Sequence, residues 1–296
     1  MNRDPLTHSL DALATDSGVQ VWLHARRVTD TAHEIALDAD APVPMASLYK
    51  VALAGCWAEQ VQAGILDPAA MVRLPRDGRT AGPTGVSALL DDVQMSQRDC
   101  VQMMLALSDN ASATAVLDLV GPDAIQDWIN RTGCTDTVAR RGTAEAMRAI
   151  IAESGGRTLG EALQALADPA TDRTTSEYDP ALTSSSTARD LTTMLAQLWA
   201  KEYAEPVRSG MRNQAWRHRI GTGFPHDDVA IAGKTGTLGR LRHEIAVIEY
   251  PDEVPVAVAI LTRSLRPETH QPRADAAIGT IARLAVNRLR RTVGVP

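Results

Sequence analysis

The chain has 296 residues, 44% of them hydrophobic and 22% charged, with 36 acidic against 30 basic side chains and a net charge of −6. That length allows a full core, as one large domain or two intimate subdomains, and the composition is that of a globular protein. The negative balance argues against a nucleic-acid partner, and no apolar run is long enough to span a bilayer, so no membrane partner is expected.

The start, "MNRDPLTHSLDALATDSG", has no apolar h-region. As written the chain therefore reads as cytoplasmic, or as secreted if a leader has been trimmed. Next, "GVQVWLHARRV" (18–28) and "HEIALDAD" (33–40) alternate like strands joined by a short polar turn. From Leu48 the pattern is helical. "MSQRDCVQMMLAL" opens with Ser96 and Asp99 in capping-box spacing, and "ASATAVLDLVG" ends at Gly121 before Pro122 opens "PDAIQDWINRTG". "TAEAMRAIIAES", "TLGEALQALAD" and a long segment at 186–204, "STARDLTTMLAQLWAKEYA", are further helices.

Past Gly221 the period returns to strands in "DVAIAGKTGTLG", "HEIAVIEY" and "VPVAVAILTR", an antiparallel meander with short turns. The last segment puts Ile278, Ile281, Leu284, Ala285 and Leu289 on one helix face, with the basic residues of "RLAVNRLRR" on a solvated one. The fold expected is α/β (α+β), an antiparallel sheet flanked by terminal helices with an all-helical domain inserted in the middle. Residues 1–46 and 206–296 would form the sheet domain and 47–205 the helical one, with a site at their junction. Cys56, Cys100 and Cys134 have no metal-ligand spacing; reduced, buried thiols are the default reading, with one bonded pair as the alternative.

Three short motifs carry chemistry. In "VPMASLYKVALAG", Ser47 stands three residues before Lys50 at a helix start, so hydroxyl and amine share a face. A lysine inside such an apolar run is desolvated, which favours its neutral form and makes it a candidate base for a serine that is otherwise a poor nucleophile. The bland alternative is a capping serine and a lysine snorkelling to water. In "LALSDNASA", Ser108, Asp109 and Asn110 suit a junction between helices. In "IAGKTGTLG", Lys234, Thr235, Gly236 and Thr237 lie on an apolar strand running into a turn.

Each motif alone is cheap. Together, in this order and these contexts, they form the set of active-site serine penicillin-recognising enzymes. Over nearly its whole length, from about Gly18, the chain resembles the class A β-lactamase family and related serine hydrolases. The Ser47-to-Ser108 interval, "GPTGVSALLDD" and "HEIAVIEYPDEVPVAVAILTR" share in the likeness.

The resemblance implies a small-molecule substrate with an amide carbonyl beside a carboxylate, often a β-lactam, and neither cofactor nor metal. Ser47 would form an acyl-enzyme. Lys50 would take its proton, directly or through water. Ser108 and Lys234 would relay a proton to the leaving nitrogen, and Lys234 would attract the carboxylate. Asn110 would hold the side-chain amide of the substrate. The backbone N–H groups of Ser47 and Thr237 would make the oxyanion hole. Thr235, Gly236 and Thr237 would line the carboxylate site, helped by Arg242 or Arg240, for which a surface role is the alternative.

The likeness weakens between the second and third motifs. The Glu-x-x-Leu-Asn pentapeptide that supplies a deacylating glutamate in class A enzymes is absent. In "TTSEYDPALTSSSTARDL", Leu182 comes five residues after Glu177, and Thr183 stands where asparagine would follow. The extra length falls in the helical segments around residues 143–168. Glu177 is the candidate general base, the alternative being a solvent-facing loop carboxylate. Asp172 and Asp179 are backups, Tyr49 is expected to pack, and His218, His226 and His243 are expected at the surface. β-Lactam hydrolysis is the leading function. The alternatives are a penicillin-recognising esterase or D-amino-acid peptidase, and a ligand-binding sensor that is acylated with little turnover.

Overall fold

The computed structural model of the protein describes residues 5–291. Helix α1 (Pro5–Ser17) leads into strands β1 (Val19–Arg27), β2 (Glu34–Leu37) and a short β3 (Val43–Pro44). The helical middle follows: α2 (Tyr49–Gln62), α3 (Gln97–Ala106), α4 (Asn110–Val120), α5 (Pro122–Arg131), α6 (Thr143–Ser154) and α7 (Leu159–Leu166). A small ribbon of β4 (Met71–Leu74) and β5 (Val93–Ser96) sits ahead of α3. After β6 (Ser185–Ser186) come α8 (Ala188–Trp199) and α9 (Glu205–Arg212), then β7 (Ala230–Leu238), β8 (Leu241–Glu249), β9 (Val256–Ser264) and α10 (Pro272–Arg291).

The main sheet is antiparallel in the order β2-β1-β9-β8-β7, so strands from both ends of the chain join side by side in one layer, β1 against β9. Leu23 opposes Ile260, and Lys234 opposes Ile245. β8 and β9 are buried along nearly their whole length because both of their faces are covered. On one face α1 and α10 bury Leu10, Ile278, Ile281, Ala285 and Leu289 against Leu23, Val258 and Ile260. On the other, α8 and the helical middle pack around Trp57, Trp128, Met104 and Leu195. A third, smaller cluster joins α6 and α7 to the β7–β8 turn through Ile150, Ala162, Leu166, Tyr178, Leu238 and Leu241.

The local rules held at most helix ends. Ser96 Oγ accepts from Asp99 N, Thr158 Oγ1 from Glu161 N, and Pro122 occupies the first turn of α5. The segment read as one helix over 186–204 is α-helical only over Ala188–Trp199; Glu202–Ala204 form a 3₁₀ turn that leads into α9, which has Pro206 in its first turn. The three cysteines are free and buried. No helix among the described residues is long and apolar enough to cross a membrane.

Candidate active site

Ser47 lies in a single 3₁₀ turn, Ala46–Leu48, that feeds α2. It does not cap the helix. The preceding Ala46 has φ 48°, a left-handed conformation costly for a residue with a Cβ, and the clasp around it holds it there. β3 pairs with β6, Val43 opposite Ser186, and Met45 N donates to Ser184 O at 2.8 Å. From below, Thr262 N donates to His243 Nδ1 at 3.1 Å, leaving Nε2–H to donate to Pro44 O at 3.0 Å. His243 was expected at the surface. It is fully buried, because β8 runs beneath the Ser47 turn, and burial followed by the charge of Arg219 pushes its pKa to about 3.

Lys50, one turn after Ser47, is also fully buried, which excludes the snorkelling alternative. Its Nζ donates to Ser108 O at 2.6 Å, to Asn110 Oδ1 at 2.8 Å and, more weakly, to Ser108 Oγ at 3.4 Å. Burial depresses its pKa to about 7, against the opposing pull of the Asp109 carboxylate.

Asp109 caps α4 by accepting from Ser112 N at 3.0 Å, while its other oxygen accepts from Ser87 N at 2.9 Å and Ser87 Oγ at 2.7 Å. These bonds hold Ser108, at φ 58°, with its hydroxyl turned towards the two lysines.

Across the cleft Lys234 Nζ donates to Ser108 Oγ at 2.9 Å and to Thr235 O at 2.8 Å. This amine too is fully buried, and burial, then the charges of Lys50 and Arg219, hold its pKa well below the usual lysine value. Gly236 has a steric role: a Cβ there would come within 2.8 Å of Met45 O, so the strand could not lie against the Ser47 turn. Thr235 N donates to Gln214 Oε1 at 2.7 Å, and Gln214 Nε2 in turn donates to Glu244 Oε1 at 2.7 Å. Glu244, fully enclosed, is pushed up to about 7 by burial.

The cationic partner of this strand is a residue that sequence reasoning missed. Arg219, 2% exposed, donates from Nη2 to Thr237 Oγ1 at 2.8 Å and from Nη1 to Gly236 O at 3.2 Å, and its Nε is paired with Asp275 at 2.7 Å. Its only sequence signal is the basic run "RHR" (217–219), well before β7. Arg242 lines the same cleft, tied to Thr269 O at 2.9 Å and to Asp275 at 3.4 Å. Arg240 does not reach it; its guanidinium is bound to Asp172 and to Leu265 O. That pairing also removes Asp172 from contention, and Asp179 is exposed in a turn where it accepts from Ala181 N.

Glu177 is buried rather than solvent-facing. Its Oε1 accepts from Arg141 Nη1 at 2.7 Å and its Oε2 from Thr183 Oγ1 at 2.5 Å. Although the spacing departs from the family pattern, the 3₁₀ turn Ser176–Tyr178 brings Thr183 back beside the carboxylate. A cavity of about 50 Å³ is lined by Ser47, Tyr49, Asn110, Arg141, Glu177 and Thr183 among others. Tyr49 packs as expected, its hydroxyl bonded to Thr143 and its pKa pushed up to about 12 by burial. A larger cleft of about 390 Å³ also opens on Ser47 and is bordered by Ser108, Asn110, Thr235, Thr237, Arg219, Arg242 and the exposed edge of His218. All the motif residues named from the sequence thus meet around Ser47.

The model of the beta-lactamase enzyme family matches residues 5–289. A relative, beta-lactamase regulatory protein BlaB of Streptomyces cacaoi, is 30% identical over 280 residues, covering 88% of this chain and 90% of its own. The β-lactamase of Sphaerobacter thermophilus superposes with a TM-score of 0.74 at 22% identity, covering 96% of each chain. The acyl-enzyme complex of a PBP-A mutant with penicillin G has the same TM-score of 0.74 at 15% identity, covering 97% of this chain and 96% of its own.

Proposed function

The chain belongs to the beta-lactamase enzyme family, and from that premise we propose that it is a serine hydrolase that opens β-lactam amides through an acyl-enzyme on Ser47. The observation that carries this reading is the position of Ser108 Oγ, 2.9 Å from Lys234 Nζ and 3.4 Å from Lys50 Nζ, in a cleft that Ser47 also lines.

With a pKa of about 7, Lys50 is partly neutral near neutrality and able to accept a proton from the Ser47 hydroxyl. Ser47 Oγ then bonds the carbonyl carbon, and its oxygen takes up negative charge facing the N–H groups of Ser47 and Thr237. As the C–N bond breaks, the proton passes from Lys50 by way of Ser108 and Lys234 to the leaving nitrogen. Thr235, Thr237, Arg219 and Arg242 offer hydroxyls and positive charge to a substrate carboxylate, and Asn110 offers its amide to the side chain. Release of the acyl group needs an activated water, for which Glu177 is the carboxylate lining the small cavity with Ser47.

A second reading is a receptor that is acylated and releases slowly. Two observations favour it: both Glu177 oxygens are engaged by Arg141 and Thr183, and the Streptomyces relative is named a regulatory protein. Mixing the purified protein with a chromogenic cephalosporin, while following colour and intact mass together, separates the two. Sustained colour that Ser47→Ala abolishes supports the hydrolase. A single burst with a lasting adduct on Ser47 supports the receptor, and neither colour nor adduct overturns the β-lactam reading.

A further inference from the structure

The cleft at Ser47 is chemically divided. One region is cationic, with the guanidinium of Arg219 on Thr237 and that of Arg242 nearby. Another is apolar and comes from the α6–α7 pair. Met147 of α6 and Leu159 and Leu163 of α7 line the large cleft together with Leu238, the residue after Thr237. Leu159 and Leu163 lie four apart, so they present one face.

The two helices have a core of their own, since Ile150, Ala162 and Leu166 are buried against Tyr178, Leu238 and Leu241. Met147, Leu159 and Leu163 are only half-buried beside that core, which leaves apolar surface facing the cleft. Met147 and Leu238 also border the small cavity, together with Ser47 and Asn110. The charged groups there, Arg141 and Glu177, are paired with each other at 2.7 Å and leave no uncompensated charge for a ligand ion.

We infer that the α6–α7 pair forms an apolar subsite, and that the preferred substrates are β-lactams whose acylamino side chain is bulky and apolar, such as an aryl group. Met147 suits this role because an unbranched thioether adapts to differing ring shapes. A charged or absent side chain leaves the subsite wet. In a preformed apolar site the presence or loss of even one methylene changes selection by about tenfold or more. This inference rests on the β-lactam reading above.

The test compares adduct formation on Ser47 by intact mass for three compounds with one bicyclic nucleus. These are penicillin G, carbenicillin with a carboxylate on its side chain, and 6-aminopenicillanic acid with no acyl group. The expected result is acylation by penicillin G at least about tenfold faster than by either other compound. In Leu163→Asn, and separately in Met147→Gln, the ratio of penicillin G to 6-aminopenicillanic acid rates falls at least about fivefold, half or more of that preference. A variant that is merely unstable lowers both rates together and leaves their ratio, so an unmoved ratio counts against the inference. Equal rates for the three compounds overturn the apolar subsite but leave the acyl-enzyme intact. The absence of any adduct from all three overturns the β-lactam reading and the subsite with it.

Discussion

Lys234 Nζ donates to Ser108 Oγ across 2.9 Å, so a strand of the sheet and the junction between two helices share one proton-carrying hydroxyl. Removing that hydroxyl tests whether the two lysines act through it. Ser108→Ala is expected to slow acylation of Ser47 by about 10²- to 10⁴-fold, the usual share of positioned acid–base groups. The measurement is stopped-flow acylation with a chromogenic cephalosporin. A loss below threefold would mean that the lysines do not need Ser108.

As the proposed base, Lys50 is expected to set the pH dependence of acylation. Its amine is lowered to about 7 by burial, so the neutral, basic form grows as pH rises through that value. The second-order acylation constant should climb about tenfold per pH unit well below 7 and level off above it. The same shift links to stability. Between about 7 and the ordinary lysine value of 10.5, the unfolded chain holds a proton that the folded chain lacks. The Lys50 contribution to stability therefore rises with pH across that window. In Lys50→Met, denaturation midpoints should lose that part of the rise. A pH-independent acylation rate between 5 and 8 would discard Lys50 as the base.

Arg141 restrains Glu177. If Glu177 is the deacylating base proposed above, Glu177→Gln should leave a mass adduct on Ser47 that outlives that of the unsubstituted protein by about 10²-fold or more. Arg141→Met frees one carboxylate oxygen and should shorten the adduct lifetime instead. If neither substitution moves the lifetime, water is activated elsewhere.

Arg219 and Asp275 form a pair whose members are 2% and 9% exposed. Arg219→Ala leaves the carboxylate with the longer contacts to Arg242 at 3.4 Å and His218 at 3.9 Å, and is expected to cost about 3 kcal/mol in denaturant unfolding. The double substitution Arg219→Ala with Asp275→Ala should cost less than the two singles together, since neither member of this pair is then left facing a missing partner. Additive costs would argue that the pair is not coupled.

Gly239, at φ 47°, sits where a Cβ would run into the Tyr178 hydroxyl at 1.8 Å. Tyr178 connects the loop carrying Glu177 to the α6–α7 core. Gly239→Ala should therefore lower stability by about 1–3 kcal/mol through strain, and acylation by apolar substrates should suffer with it. Unchanged thermal melting would show that the loop yields at no cost.

The chemistry legible in the sequence was the chemistry carried by neighbours in the chain. Ser47 with Lys50, the Ser108–Asn110 junction and the Lys234–Thr237 strand announce themselves within a few residues, and all meet around one cleft. The strands and most helix caps were legible for the same reason. What escaped depends on distant partners. Arg219 matters only once Thr237 and Asp275 lie on either side of it. His243 is a support under Pro44 only because β8 passes there, and the Gln214–Glu244 brace on Thr235 N has no local pattern at all. The sequence leaves the exposure of Glu177 open between a general base and a solvent-facing carboxylate, because a carboxylate in a loop gives no hint that Thr183 and Arg141 await it.

The joining of strands from both ends of the chain, in the order β2-β1-β9-β8-β7, bears on when the molecule gains its reactivity during synthesis. Ser47 and Lys50 leave the ribosome early, whereas Lys234, Thr237 and the strands that hold β1 in the sheet leave late. A chain is made from its N-terminus at a finite pace, so a half-made molecule carries the serine without the strand that faces it. If Ser47 is acylated as proposed, its labelling by a fluorescent penicillin would count finished molecules and be blind to truncated and stalled ones.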